Sequence, residues 1–227
     1  MTAQKILVLL TNVETLAGEP NGTYFPELSH AAHELEAAGL ELVFASLAGG
    51  AAPYYGADRA DELNARYLDD EAFMRSLSRT HRLDQLDISD FKGIYVPGGY
   101  GLLFDLCGDD AAAAAIAAIY DAGEVVGAVC HGPAALAGVR LTSGEALVAG
   151  REVTGFTREE EVAFGTLDKV PFLLEETLAE AGGQFHKAPE WAAHVRVAGR
   201  LVTGQNPASA AGVGRAIAAK VKNPAGV

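Results

Sequence analysis

Cysteine is almost missing from this chain: 227 residues contain only Cys107 and Cys130. Two thiols with unrelated surroundings give no disulfide framework, and reduced thiols fit a cytoplasmic setting. Positive charge is the second scarcity. Seventeen Lys and Arg stand against 30 Asp and Glu, a net charge of −13. That balance repels phosphate, and no basic cluster or aromatic-basic alternation offsets it, so no nucleic-acid partner is expected. No apolar run approaches the ~20 residues that cross a bilayer, which argues against a membrane. The N-terminal residues run into a strand pattern without a charged n-region or cleavage site. No Ser- or Pro-rich linker and no internal repeat divides the chain, so one domain over 1–227 is expected.

What is present is an alternation of short apolar runs with helical patterns. Ile6–Leu10, Leu42–Ala45, Gly93–Val96 and Val125–Val129 are rich in Val, Ile and Leu, as strands buried on both faces of a parallel sheet are. Helices are predicted over Glu27–Ala38, closed by Gly39, over Asp110–Ala122, closed by Gly123, and over Pro133–Ala137. The segment from Ala57 to Ser89 reads as an insertion, helical in part, with Leu63, Tyr67, Phe73 and Leu77 on its buried side. Further on, Ala146–Val148 and Glu152–Gly155 are expected to pair around Gly150, Pro171–Ala181 to be helical, and Val195–Val197 to form a hairpin with Leu201–Thr203. A last helix starts near Pro207 with Asn206 as its N-cap. The β-then-α order predicts an α/β fold of the flavodoxin-like, doubly wound kind, a mainly parallel sheet with helices on both faces and its ligand at the carboxyl ends of the strands.

The most informative stretch is Glu124-Val-Val-Gly-Ala-Val-Cys-His-Gly-Pro-Ala-Ala-Leu136, in which an apolar strand ends on Cys130 and turns at once toward a helix. This is the pattern of a nucleophile elbow. Amides at a helix N-terminus favour an anion, so a lowered thiol pKa and early oxidation by peroxide are expected for Cys130. The bland alternative is a small apolar residue at the end of a buried strand. Gly127, Gly132 and His131 around the sulfur favour the nucleophile. After the third strand, Pro97-Gly98-Gly99-Tyr100-Gly101 has neither a Walker lysine nor dinucleotide-binding spacing. Opposite an elbow, it reads better as an oxyanion hole than as a phosphate cradle.

Several blocks together resemble a known family. Phe25-Pro-Glu-Leu-Ser-His30, Pro97-Gly-Gly-Tyr-Gly101, Ala128-Val-Cys-His-Gly-Pro133, Val153-Thr-Gly-Phe-Thr157 and Gly204-Gln-Asn-Pro-Ala-Ser209 are similar to the ThiJ/PfpI superfamily, which has a class I glutamine-amidotransferase-like fold. The similarity spans nearly the whole chain and points to the branch of heat-shock chaperones and glutathione-independent glyoxalase III enzymes. The resemblance implies that Cys130 is the nucleophile, His131 its acid or base, and Glu27 the carboxyl beside the sulfur. The resemblance likewise implies Glu161 as the acid that orients the histidine, with Glu159 and Glu160 as the alternatives. Gly98 and Gly99 with the His131 amide would form the oxyanion and substrate site, with Trp191 near the pocket. By itself Glu27 would read as a first-turn acid complementing the helix dipole.

The activity implied is conversion of a 2-oxoaldehyde such as methylglyoxal to a 2-hydroxy acid through a Cys130 hemithioacetal, a glyoxalase III or lactate-dehydratase-like lyase reaction needing no redox cofactor and no metal. The partner is then a small carbonyl compound, and the resemblance further implies a homodimer. Two other readings remain: a cysteine peptidase or amidase, and a stress chaperone or redox sensor. His30 and His33 share a helix without further ligands, His186 and His194 have no assignable partners, and Cys107 lacks any activating neighbour.

Overall fold

The structure, a computed structural model, describes residues 3–223. Seven strands form its central sheet: β1 Gln4–Leu10, β2 Leu40–Ser46, β3 His81–Arg82, β4 Phe91–Val96, β5 Val125–Val129, β6 Val195–Ala198 and β7 Leu201–Gly204. Their spatial order is β6-β7-β5-β4-β1-β2-β3. All neighbours run parallel except the β6–β7 hairpin at one edge. The runs of Val, Ile and Leu account for the interior: Ile6 to Leu10 and Val125 to Val129 are buried throughout, as strands covered on both faces must be.

Among the described residues there are eight α-helices: α1 Phe25–Ala37, α2 Glu62–Asp69, α3 Glu71–Ser78, α4 Leu102–Asp105, α5 Asp110–Asp121, α6 Arg158–Phe164, α7 Leu174–Glu180 and α8 Ala210–Lys222. Helices α1 and α8 pack against each other, while α5 packs on β4 and β5. The insertion is helical as expected. Asp61 caps α2 through the amides of Leu63 and Asn64, and Asp70 caps α3 through those of Ala72 and Phe73, each acid satisfying donors that a helix start leaves free. Tyr67, Phe73 and Leu77 are buried, whereas Leu63 is only partly covered.

Three local expectations fail. The elbow leads into a five-residue 3₁₀ helix, Gly132–Leu136, and not into an α-helix. Residues 146–148 do not pair with 152–155: Glu152–Val153 instead runs parallel to Gln184–Phe185, and Ala146 bridges Arg140. The 184–185 partner lies beyond any local pattern, so periodicity could not find it. Finally, Pro207–Ser209 is a 3₁₀ turn before α8, and Asn206 caps nothing there. Its amide is engaged elsewhere, as the site shows.

Candidate active site

Chain reversal at the switch between β1 and β4 brings the loops after β1, β4 and β5 to one end of the sheet, as in other doubly wound folds. Cys130 occupies the first position after β5 with φ +59°, a left-handed conformation rare for a side chain other than Asn, Asp or Gly. Both of its backbone polar groups are fixed. Its N–H donates to Gly204 O at 2.9 Å, and its carbonyl accepts from Phe156 N at 2.9 Å. The strained turn is thus clamped between β7 and the Val153–Thr157 block, aiming the sulfur across at the β4 loop and α1.

Glu27, on the first turn of α1, is completely buried. Tyr95 pins this turn by donating to the Glu27 carbonyl at 2.8 Å. Neither carboxyl oxygen has a hydrogen bond of good geometry. The Cys130 thiol and the Gly98 amide nonetheless stand close enough to lower its pKa, but desolvation outweighs both and raises the pKa to about 8. Gly98 is obligatory at this spot, because a Cβ there would collide with Glu27 Oε2 and stand 2.6 Å from Cys130 Cβ and 3.0 Å from Sγ. Only a bare backbone lets carboxyl and thiol meet.

The expectation of a low thiol pKa is overturned. Cys130 is 5% exposed, and burial pushes its pKa well above the ordinary thiol range, with the Glu27 carboxylate adding to the rise. The His131 amide pulls the other way without prevailing. The physical reason is that a five-residue 3₁₀ turn supplies little helix field, whereas loss of water around a thiolate is costly. The resting pair at neutral pH is therefore a thiol beside a protonated carboxyl.

His131 Nδ1 lies 3.3 Å from Cys130 Sγ, and its Nε2 lies 2.7 Å from Glu161 Oε1. Glu161 is held in turn by the Thr166 hydroxyl and by Tyr100 OH at 3.4 Å. The imidazole sits between Tyr100 and Phe156, with ring centroids 4.3 and 4.6 Å away. A carboxylate on Nε2 favours the tautomer with hydrogen there, leaving Nδ1 free to take the thiol proton. Of the three consecutive glutamates, Glu161 thus faces the histidine. Glu159 is on the surface with Lys187 at 2.8 Å. Glu160 is buried and accepts from Thr157 N and Oγ1 on one oxygen and from Trp191 N, Gln205 Nε2 and Asn206 Nδ2 on the other.

The backbone groups expected at the oxyanion site face different partners. Gly98 N–H faces the Glu27 carboxyl and His131 N–H faces the sulfur. Gly99, with φ +120°, backs onto the Gly22–Tyr24 loop. Above the sulfur opens a cleft of about 290 Å³ whose walls are mainly aromatic, with Tyr24, Tyr55, Tyr100, Phe156, Phe164 and Trp191 around Cys130 and His131. Trp191 is at the rim, 44% exposed with φ +61°, and its ring meets Phe156 and Phe164 edge-on or tilted. Sequence reasoning missed Tyr24, Tyr55, Phe164 and Thr166. Tyr24 adjoins the Phe25-Pro-Glu27 block and was within reach of it; Tyr55 carries no local signal. Among the described residues, no three His, Cys, Asp or Glu side chains are grouped to hold a metal ion, and no helix is long and apolar enough to cross a membrane.

Known proteins are similar to this chain over most of their length. Glyoxalase 3 of Candida albicans is 31% identical over 226 residues, 91% of this chain and 93% of its own. Glutathione-independent glyoxalase HSP31 of Saccharomyces cerevisiae is 30% identical over 229 residues, 92% of this chain and 94% of its own. The crystal structure of glyoxalase III from Candida albicans superposes with a TM-score of 0.86 at 26% identity, covering 95% of this chain and 96% of that one. The Rapid Encystment Protein 24 KDa of Francisella tularensis does so with 0.90 at 30% identity, covering 96% and 99%. A model of the DJ-1/PfpI family matches residues 21–220, and with nearly the whole chain so accounted for, the protein belongs to the DJ-1/PfpI family.

Proposed function

We propose that this protein is a glutathione-independent glyoxalase, converting 2-oxoaldehydes such as methylglyoxal to 2-hydroxy acids. The observation that carries the reading is the buried carboxyl of Glu27 against the Cys130 thiol. A hydrolytic triad needs the thiol, His131 and Glu161, but has no use for a fourth group that is still protonated at neutral pH. A reaction that moves protons between adjacent carbons needs one. The names of the relatives agree with this.

In the mechanism, His131 Nδ1 takes the thiol proton as Sγ bonds to the aldehyde carbon, and the imidazolium stabilised by Glu161 returns it to the developing oxyanion. The hemithioacetal then loses its C1 proton, the C–H electron pair becomes the C1–C2 double bond, and an enediol forms. Reprotonation at C2 leaves a thioester of the 2-hydroxy acid on Cys130. Water cleaves it and restores the thiol. Glu27, with a pKa of about 8, is ionised in a minority of molecules at pH 7; that carboxylate takes the C1 proton, and the carboxyl so formed gives the same proton to C2, which returns the carboxylate. The aromatic walls admit a small carbonyl compound and keep water from the enediol. A cytoplasmic setting and a homodimer complete the reading, supported by the reduced thiols and the family resemblance.

The decisive experiment supplies methylglyoxal without glutathione and measures lactate. Wild type makes lactate, and Cys130→Ser makes essentially none. Equal output from both proteins ends the mechanism, and cleavage of amide or ester substrates without lactate moves the assignment to a cysteine hydrolase.

A further inference from the structure

Two phenols in the cleft have no task in the chemistry so far. Thr23–Tyr24 and Tyr54–Tyr55 form a two-stranded parallel ladder in which Tyr24 stands opposite Tyr55. Their ring centroids are 5.2 Å apart, tilted by 53°. The ladder is tied to the site by Tyr24 N–H, which donates to Gly98 O at 3.0 Å, and is closed on itself by Thr23 N–H, which donates to Pro53 O at 2.9 Å. Gly56, with φ +71°, makes room for the first ring, as a Cβ there would press into Tyr24 and reach its Cδ2 at 2.7 Å. Both rings border the cleft over Cys130.

The other site tyrosines have partners for their hydroxyls: Tyr95 on the Glu27 carbonyl, and Tyr100 with Thr166. Among the described residues, neither Tyr24 nor Tyr55 has a hydrogen-bond partner for its hydroxyl, and neither oxygen is sealed from cleft or solvent. Burial, then the neighbouring Glu27 and Cys130 charges, raise both phenols above the ordinary tyrosine range. They remain neutral donors across the working pH.

We propose that the paired phenols of Tyr24 and Tyr55 bind the second carbonyl oxygen of the substrate, so that the site selects 2-oxoaldehydes over simple aldehydes. This inference rests on the glyoxalase reading. The ketone carbon is bonded directly to the carbon that Sγ attacks, so its oxygen must lie in the same cleft one bond further from the sulfur. When the C1 proton leaves, the C–H pair forms the C1–C2 double bond and the ketone π pair moves onto that oxygen. Phenol donors bordering the cleft can hold that oxygen in the bound substrate, and such hydrogen bonds strengthen as the charge grows. A simple aldehyde such as propanal has nothing for them to hold.

The test compares wild type with Tyr24→Phe, Tyr55→Phe and the double variant, changes that keep the rings and remove only the hydroxyls. Lactate formation from methylglyoxal gives kcat/KM, expected to fall about tenfold for each lost hydrogen bond. A second measurement needs no turnover: the concentrations of methylglyoxal and of propanal that protect Cys130 from iodoacetamide. The methylglyoxal value rises about tenfold in the variants while the propanal value stays put. An unchanged ratio with unchanged kcat/KM overturns the proposal and leaves the glyoxalase reading standing. Equal loss of protection by both aldehydes also overturns it, since the rings would then only shape the cleft. A wild type that makes no lactate but keeps the protection ratio overturns the glyoxalase reading and supports dicarbonyl binding alone.

Discussion

A carboxyl that titrates near 8 and a thiol pushed above its ordinary range divide the work at Cys130 differently from a preformed thiolate. With the sulfur protonated at rest, nucleophilicity is made at the moment of attack by His131. Alkylation of Cys130 by iodoacetamide is accordingly expected to keep accelerating as pH rises through 9, because the thiolate fraction is still growing there. A rate that levels off below pH 7 would restore the low-pKa thiolate and with it the expected early oxidation by peroxide. Glu27→Gln keeps the shape and removes the proton carrier, so turnover should drop about 10²–10⁴-fold, the usual cost of a lost general acid–base. Near-normal turnover would return Glu27 to a helix-dipole role. The sequence could not decide that point alone, since a lone acid on a first helical turn is common. Gly127 misled in the opposite direction. It looks like part of the elbow, but a Cβ there would meet Ile217 of α8 at 2.8 Å from Cγ1, so the glycine serves helix-on-sheet packing.

At the level of elements, α6 does two things with neighbouring residues. Glu161 faces His131, and Glu160 collects five hydrogen bonds from Thr157, Trp191, Gln205 and Asn206. The second cluster ties the helix to the loop bearing Trp191 and to the Gly204–Ser209 turn, which together wall the cleft. Glu160→Ala is expected to cost about 3 kcal/mol or more in urea unfolding, because hydrogen bonds to a charge are strong and buried donors are stranded. The same variant should raise KM for methylglyoxal as Trp191 loses its anchor. A loss below about 0.5 kcal/mol, the level of an ordinary surface change, would mean the wall stands without it. The phase of these glutamates was readable after all: Thr157-Arg-Glu-Glu160 is a capping box, formed here by reciprocal bonds, and it fixes Glu160 at the third helical position and Glu161 next to it. The ladder carrying Tyr24 and Tyr55 was not readable, since two-residue strands leave no periodicity.

Across the whole molecule, the parallel strands were legible because burial on both faces writes itself as unbroken Val, Ile and Leu. The edge strand β3 and the pairing of 152–153 with 184–185 were not, being short and set by tertiary contact. The buried Glu27 also shapes stability as a whole. An unfolded glutamate releases its proton near 4.5, while the folded one holds it to about 8. Between those values the native state binds more protons than the unfolded chain, so stability falls as pH rises. The contribution is complete below about 4.5 and is lost by the time pH passes 8; at roughly 1.4 kcal/mol per pKa unit it amounts to a few kcal/mol. The net charge of −13 adds self-repulsion in the same direction, so wild type alone cannot separate the two. Glu27→Gln can, because it leaves the surface charge almost unchanged and removes the buried titration. Urea unfolding at pH 5 and pH 8 should show wild type losing a few kcal/mol more than the variant over that interval. Parallel losses in the two proteins would mean that Glu27 is ionised in the folded state, and with that the proton-carrying role assigned to it at Cys130 would have to be given up.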